Sequence, residues 1–250
     1  MISFLCTILS NTEAFALQQV KNPELQTVKN SIVFVLSGSP VTDNAAPLRT
    51  GFIVGLRLKS NPETMYKFVI TNAHVLAKQK VVTLRINNSS NTAAISYPTD
   101  LASSALFPSE KTVDLAAIAI PDIPDTNPTV FDYSYILGHD DLKKAEIEEG
   151  TDVVATGYLQ PYAGIAKNFP VMRFGKIALL TDEHWFNTVF ADKQQGYIVE
   201  IYNVGGSSGS PVVLQPSQVR VNSQNVFQQR RIPPYLVGVI KGHPNDLAEL

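Results

Sequence analysis

Three residues in distinctive local settings follow one another along the chain. His74 sits in Thr71-Asn72-Ala73-His74-Val75, and Asp114 in Val113-Asp114-Leu115-Ala116-Ala117-Ile118. Ser208 sits in Gly205-Gly206-Ser207-Ser208-Gly209-Ser210-Pro211. Imidazole, carboxylate and hydroxyl are the parts of nucleophilic acyl transfer. The imidazole removes the hydroxyl proton, and the carboxylate fixes its tautomer and steadies the imidazolium. Glycines just before a serine let backbone N–H groups converge on one point, because no Cβ restricts φ. Such donors stabilise the oxyanion that develops on an attacked carbonyl. Each part also has a plainer explanation: a Gly/Ser surface loop, a structural histidine at a strand end, an N-capping aspartate. Their conjunction favours chemistry.

The elements that would position these residues read as strands. The serine stretch lies between the apolar runs Gly196–Tyr202 and Val212–Leu214, a strand–turn–strand pattern. His74 follows Phe68-Val69-Ile70, where a strand should end. Asp114 opens an otherwise apolar strand, so its carboxylate faces the interior or an edge and needs a hydrogen-bond partner. A histidine N–H is one such partner. In the first half, strands are expected at residues 32–36, 51–58, 67–71, 81–86, 93–97 and 114–120. In the second half they are expected at 152–159, 171–180, 188–191, 196–202, 211–214 and 236–241. Pro121–Pro128 is a proline-rich linker, and Asp140–Glu149 has room for one or two helical turns. Nothing alternates helix with strand, which excludes a parallel sheet. Two all-β units follow: residues 17–138 with His74 and Asp114, and residues 139–250 with Ser208.

Composition narrows the partners. A formal charge of −2 over 250 residues gives no polycationic surface for nucleic acid. Cys6 is the single cysteine, and His74, His139, His184 and His243 form no zinc-type motif. Neither a metal nor another cofactor is expected. The apolar run Ile2–Leu9 followed by Ala14-Phe15-Ala16 reads as a secretory signal over residues 1–16, implying a secreted or periplasmic protein. No run reaches the roughly 18 apolar residues of a membrane span.

On its three motifs the sequence resembles the chymotrypsin-like (trypsin-like) serine peptidases. The resemblance is to the cysteine-free bacterial kind that includes glutamyl endopeptidases. The histidine motif is matched at 71–75, the aspartate motif at 114–118 and the serine motif at 206–211. Thr50-Gly51-Phe52-Ile53-Val54 resembles the strand that precedes the histidine. The resemblance implies an all-β fold of two antiparallel six-stranded β-barrels with the active site between them, acting on a peptide or protein substrate. His74 would be general base and then general acid, Asp114 its orienter and Ser208 the nucleophile. The N–H groups of Gly206 and Ser208 would form the oxyanion hole. Tyr202, six residues before the nucleophile, would floor the pocket for the side chain preceding the cut, with Asn203 beside it. Lys241, Gly242 and His243 would form its wall. An aromatic floor without a carboxylate, near positive charge, fits neutral or acidic side chains better than lysine or arginine. Ser207 replaces the acidic residue that many members carry before the nucleophile, so a freshly cut N-terminus would find no carboxylate partner there. Members usually continue past the strand at 236–241 with another strand and a helix, so the second barrel is expected to be truncated.

Two other readings compete. Gly205-Gly206-Ser207-Ser208-Gly209 formally matches the G-x-S-x-G turn of α/β-hydrolases, with Ser207 as nucleophile. That fold requires an acid and then a histidine downstream, among many helices. Here His243 precedes Asp246, and the helices are missing. The other alternative is a non-catalytic, peptide-binding barrel pair or an inactive, truncated peptidase.

Overall fold

The computed structural model describes residues 23–38, 47–58, 60–110, 112–126, 128–160, 162–181, 185–187, 192–194, 196–202, 205–216, 220–221, 227–228 and 233–242. The expected signal at 1–16, the strand expected at 188–191, and the pocket residues Asn203 and His243 lie outside these residues.

The first sheet grows from β1 (Ile32–Ser37), whose unbroken apolar run is buried on both faces. Val33 and Val35 enter one core, while Ile32, Phe34 and Leu36 enter another, as the period of two requires. On one side of β1 lies the long hairpin of β2 (Pro47–Leu58) and β3 (Asn61–Thr71), followed by β7 (Ala116–Ile120) and β6 (Ala105–Leu106). On the other side lie β4 (Val81–Asn87) and β5 (Ala94–Asp100). β8 (Phe131–Asp132) pairs parallel with β2. This sheet therefore has eight strands where six were expected. The additions are β6 and β8, two residues each, too short to show a hydrophobic period.

The second sheet runs β13 (Ile198–Ile201), β10 (Val171–Leu179), β9 (Asp152–Gly157), β14 (Pro211–Leu214), β17 (Leu236–Val239). β11 (Trp185–Asn187) with β12 (Asp192–Gln194), and β15 (Arg220–Val221) with β16 (Phe227–Gln228), form separate hairpins. Both main sheets are curled, antiparallel half-barrels, the all-β double-barrel architecture expected from the sequence. The short helices are α1 (Pro23–Asn30), α2 (Ala73–Leu76), α3 (Leu101–Ser104) and α4 (His139–Lys144), the last overlapping the expected 140–149 and starting one residue before it. Among the described side chains of the unexpected α1, Leu25 and Val28 are buried, three residues apart, which is too little periodicity to read in sequence.

The core has three parts. One lies beneath the first sheet around Ile53, Val69, Leu84 and Ile118, and one within the second around Val153, Ala155, Val212 and Leu214. The third joins them: Phe34, Phe52 and Phe131 of the first sheet meet Val154, Tyr158 and Val213 of the second. Phe34 and Tyr158 meet across this seam with ring planes tilted by 58° and ring centres 5.2 Å apart. Each buried aromatic contributes about 1.5–3 kcal/mol relative to exposure. The seam thus holds the loops that leave the two sheets at one end in fixed relation.

Candidate active site

The register of the first sheet brings His74 and Asp114 together. β7 pairs with β3 so that Ala116 faces Thr71. The chain continuing from Thr71 and the chain arriving at Ala116 therefore lie side by side. From Thr71 the chain passes through extended Asn72 into the single turn of α2, which buries Val75 and Leu76 and leaves the His74 side chain 45% exposed. Asp114 does not open the strand as expected, but lies two residues before β7. The cause is local bonding. The Asp114 carbonyl accepts from Asn72 Nδ2 at 2.9 Å, and its carboxylate is turned to His74 rather than to a ladder position.

Both oxygens of that carboxylate are used. Oδ1 accepts the His74 backbone N–H at 2.9 Å, and Oδ2 lies 2.6 Å from His74 Nδ1. Burial pushes the Asp114 carboxyl up. The hydrogen bonds from the His74 ring and backbone, then the charges of His74 and Lys241, outweigh burial and leave it below the ordinary carboxylate value. An ionised carboxylate at Nδ1 keeps the proton on that nitrogen, so Nε2 carries the free lone pair.

Ser208 stands in the loop between β13 and β14, where main-chain contacts dominate. Gly206 has φ +99° and Gly209 φ +84°, in the left-handed region. A Cβ on Gly206 would strike the Tyr158 ring, and one on Gly209 the Thr50 carbonyl. Thr50, fully buried on β2, binds this loop twice: its N–H donates to Ser208 O at 3.0 Å and its Oγ1 to Gly206 O at 3.1 Å. The same Oγ1 accepts from Tyr158 N at 2.8 Å, and the Thr50 carbonyl accepts from Thr71 Oγ1 at 2.7 Å. Thr50 therefore ties the serine loop to the end of the strand that leads to His74.

The peptides before Gly206 and Ser208 are pinned as well. Gly205 O accepts from Gln160 N at 3.1 Å, and Ser207 O from Ser210 N at 2.9 Å. A trans peptide sets its N–H opposite its carbonyl, so these bonds fix the directions of the Gly206 and Ser208 N–H groups. Neither N–H donates to a backbone acceptor among the described residues. Behind the loop, Gly209 N donates to Ile240 O and Ser210 O accepts from Ile240 N, each at 2.9 Å, which places Lys241 beside the serine turn.

The expected pocket residues are placed less closely. Lys241 is half-buried and Gly242 exposed. Tyr202 does not form an enclosed floor: it is 79% exposed, because β13 ends at Ile201 and Tyr202 has left the sheet. Among the described residues no group of three His, Cys, Asp or Glu is placed to hold a metal ion. Thr50 as the link between the sheets, Thr71 bonded to it, Asn72 on the Asp114 carbonyl and Gln160 on the Gly205 carbonyl did not emerge as functional positions from the sequence. The available signal was Thr50 itself, a polar residue heading the apolar run Gly51–Val54.

A family model described as "Trypsin-like peptidase domain" matches residues 49–220, a span that holds His74, Asp114 and Ser208. No curated protein matches the sequence. Among solved structures, the apo MamO protease domain from Magnetospirillum magneticum superposes with a TM-score of 0.52 at 18% identity, over 84% of this chain and 94% of its own. An inactive serine-to-alanine mutant of Rv3671c from M. tuberculosis H37Rv gives 0.45 at 21% identity, over 78% and 77%. The serine endoprotease from Yersinia pestis gives 0.41 at 16% identity, over 77% and 53%.

Proposed function

Since the chain belongs to the trypsin-like peptidase family of serine proteases, we propose that it is an endopeptidase working through a His74–Asp114–Ser208 triad and an acyl-enzyme. The observation that carries this reading is the double grip of Asp114 on His74, at the backbone N–H and at Nδ1. Such a grip leaves Nε2 as the base.

In the proposed reaction, Ser208 Oγ attacks the scissile carbonyl carbon as its proton passes to His74 Nε2. The electron pair of the C=O bond moves to oxygen, which the Gly206 and Ser208 N–H groups receive. Collapse of this intermediate breaks the C–N bond, and Nε2–H protonates the departing amine. Water, deprotonated by the same nitrogen, then attacks the ester carbonyl and returns Ser208 with its proton. The pinning of both preceding peptides supports the donor assignment, since donors fixed in advance need no reorganisation during reaction.

The substrate is a peptide or protein segment whose side chain before the cut is neutral or acidic, in keeping with Lys241 beside the serine turn and the resemblance to glutamyl endopeptidases. In this reading Tyr202 lines the entrance rather than a floor, residues 17–138 and 139–250 are the two barrel units, and removal of residues 1–16 accompanies export. The test is cleavage of a peptide library by wild type and by Ser208→Ala. Wild-type cutting after neutral or acidic residues that disappears in the variant supports the reading. Dominant cutting after lysine or arginine overturns the specificity, and unchanged cutting by Ser208→Ala overturns the mechanism.

A further inference from the structure

The chain between β9 and β10 leaves the second sheet but is fastened to the first. On β4, Arg85 Nη1 donates to Gly164 O at 3.1 Å and to Asn168 Oδ1 at 3.0 Å, while Nη2 donates to Ile165 O at 2.6 Å. Asn168, only 2% exposed, answers with Nδ2 to Arg85 O at 2.6 Å. Its backbone pairs reciprocally with the Asn87 side chain: Asn168 N donates to Asn87 Oδ1 at 2.7 Å, and Asn87 Nδ2 to Asn168 O at 3.1 Å. Beyond β4, Ala94 N donates to Ala166 O at 2.8 Å and Lys167 Nζ to Asn91 O at 2.7 Å. A loop made only to connect two strands of one sheet needs none of these bonds.

The other end of the same loop reaches the serine turn. Gln160 N holds the Gly205 carbonyl, and Gln160 Oε1 lies against Gly205. The Gly205–Gly206 peptide is flanked by two residues without a Cβ, so little steric resistance opposes its rotation. If Gln160 moves, the Gly205 carbonyl loses its donor, and rotation would present a carbonyl where the Gly206 N–H had stood. An oxyanion would then meet a lone pair in place of a proton.

We propose that Asn168, clasped by Arg85 and Asn87, is a positioning residue for acyl transfer. It fixes the loop so that Gln160 holds the Gly205 carbonyl and the Gly206 N–H stays directed at the reacting carbonyl. The first sheet, which supplies the base, thereby also sets an oxyanion donor on the second. This inference rests on the acyl-transfer reading above.

The experiment combines active-site titration by a fluorophosphonate with steady-state kinetics on a peptide ester, using the full chain. Wild type is compared with Asn168→Ala and with Asn87→Ala, which opens the clasp from the opposite side and leaves the Arg85 contacts in place. A positioning role lowers kcat per titrated site about 10- to 100-fold, smaller than or equal to loss of a whole oxyanion donor. KM stays within about threefold, the titrated fraction matches wild type, and the midpoint of the pH–rate profile does not move. A structural role alone would lower the titrated fraction and leave the rate per site unchanged, which overturns the inference. If Asn168→Ala does not fold, Asn87→Ala decides by the same readouts. Wild type that takes no label on Ser208 overturns the acyl-transfer reading together with this inference. Wild type that labels, with variants equal to it per site, overturns the inference alone.

Discussion

His74 and Asp114 meet through the Asp114 side chain, on a turn and a strand approach set by the β3–β7 register: it lies 2.6 Å from the His74 ring and accepts the His74 backbone N–H at 2.9 Å. Ser208 is set by the main chain: two glycines at positive φ, four pinned carbonyls (those of Gly205, Gly206, Ser207 and Ser208), and Thr50 as the anchor from the opposite sheet. The contrast separates two kinds of precision. A hydrogen-bonded imidazole and carboxylate need two residues in reach, and a small displacement stretches the bond. An array of N–H donors needs particular peptide orientations, and one rotated peptide removes a donor outright. The His74–Asp114 side should therefore respond to changes in residue chemistry, and the Ser208 side to changes in backbone freedom.

The largest loss should come from His74→Ala, which removes the proposed base and should lower peptide hydrolysis by roughly 10⁶-fold while leaving the melting temperature within a few degrees. Asp114→Asn keeps the shape but favours the wrong tautomer, and a loss of about 10⁴-fold in kcat is expected. On the other side of the comparison, Gly209→Ala drives a Cβ into the Thr50 carbonyl and should cost about 10²–10³ in kcat by displacing the serine turn. An equal response of both sides to these changes would erase the distinction.

Stability tests sharpen it further. Thr50→Val keeps the shape but leaves the Tyr158 N–H and the Gly206 carbonyl without their partner. Each buried unpaired group costs about 1–3 kcal/mol. At about 2–4 °C per kcal/mol, thermal unfolding should fall by at least several degrees. The smallest effect concerns acid. Because the Asp114 carboxyl is held below its ordinary value of 3.8, the unfolded chain binds that proton more readily than the folded protein. Its contribution is complete above that value and is lost as pH falls below it. Melting temperature measured from about pH 6 to about pH 3 should therefore fall more steeply for wild type than for Asp114→Asn.

The same contrast explains what the sequence revealed. Residue types carry side-chain chemistry, so His74, Asp114 and Ser208 stood out, and apolar runs such as Ile32–Leu36 marked the strands. The expected strand starts at Asp114, two residues before β7 does, because an apolar continuation conceals a backbone carbonyl already taken by Asn72. The roles of Thr50 and Gln160 lie in peptide groups that every residue possesses, and no residue code distinguishes a pinned carbonyl from a free one. Tyr202 is expected on a floor through the family resemblance, which gives that place to the residue six before the nucleophile. Sequence distance fixes where the chain can reach, and the end of β13 at Ile201 decides which way the side chain turns.

The most direct test of the proposed mechanism is covalent labelling with a fluorophosphonate followed by mapping of the modified residue in wild type, Ser208→Ala and Ser207→Ala. Stoichiometric modification of Ser208 is expected in wild type, lost in Ser208→Ala and retained in Ser207→Ala. Modification of Ser207, or label retained in Ser208→Ala, would contradict a nucleophile set by Thr50 and the two glycines.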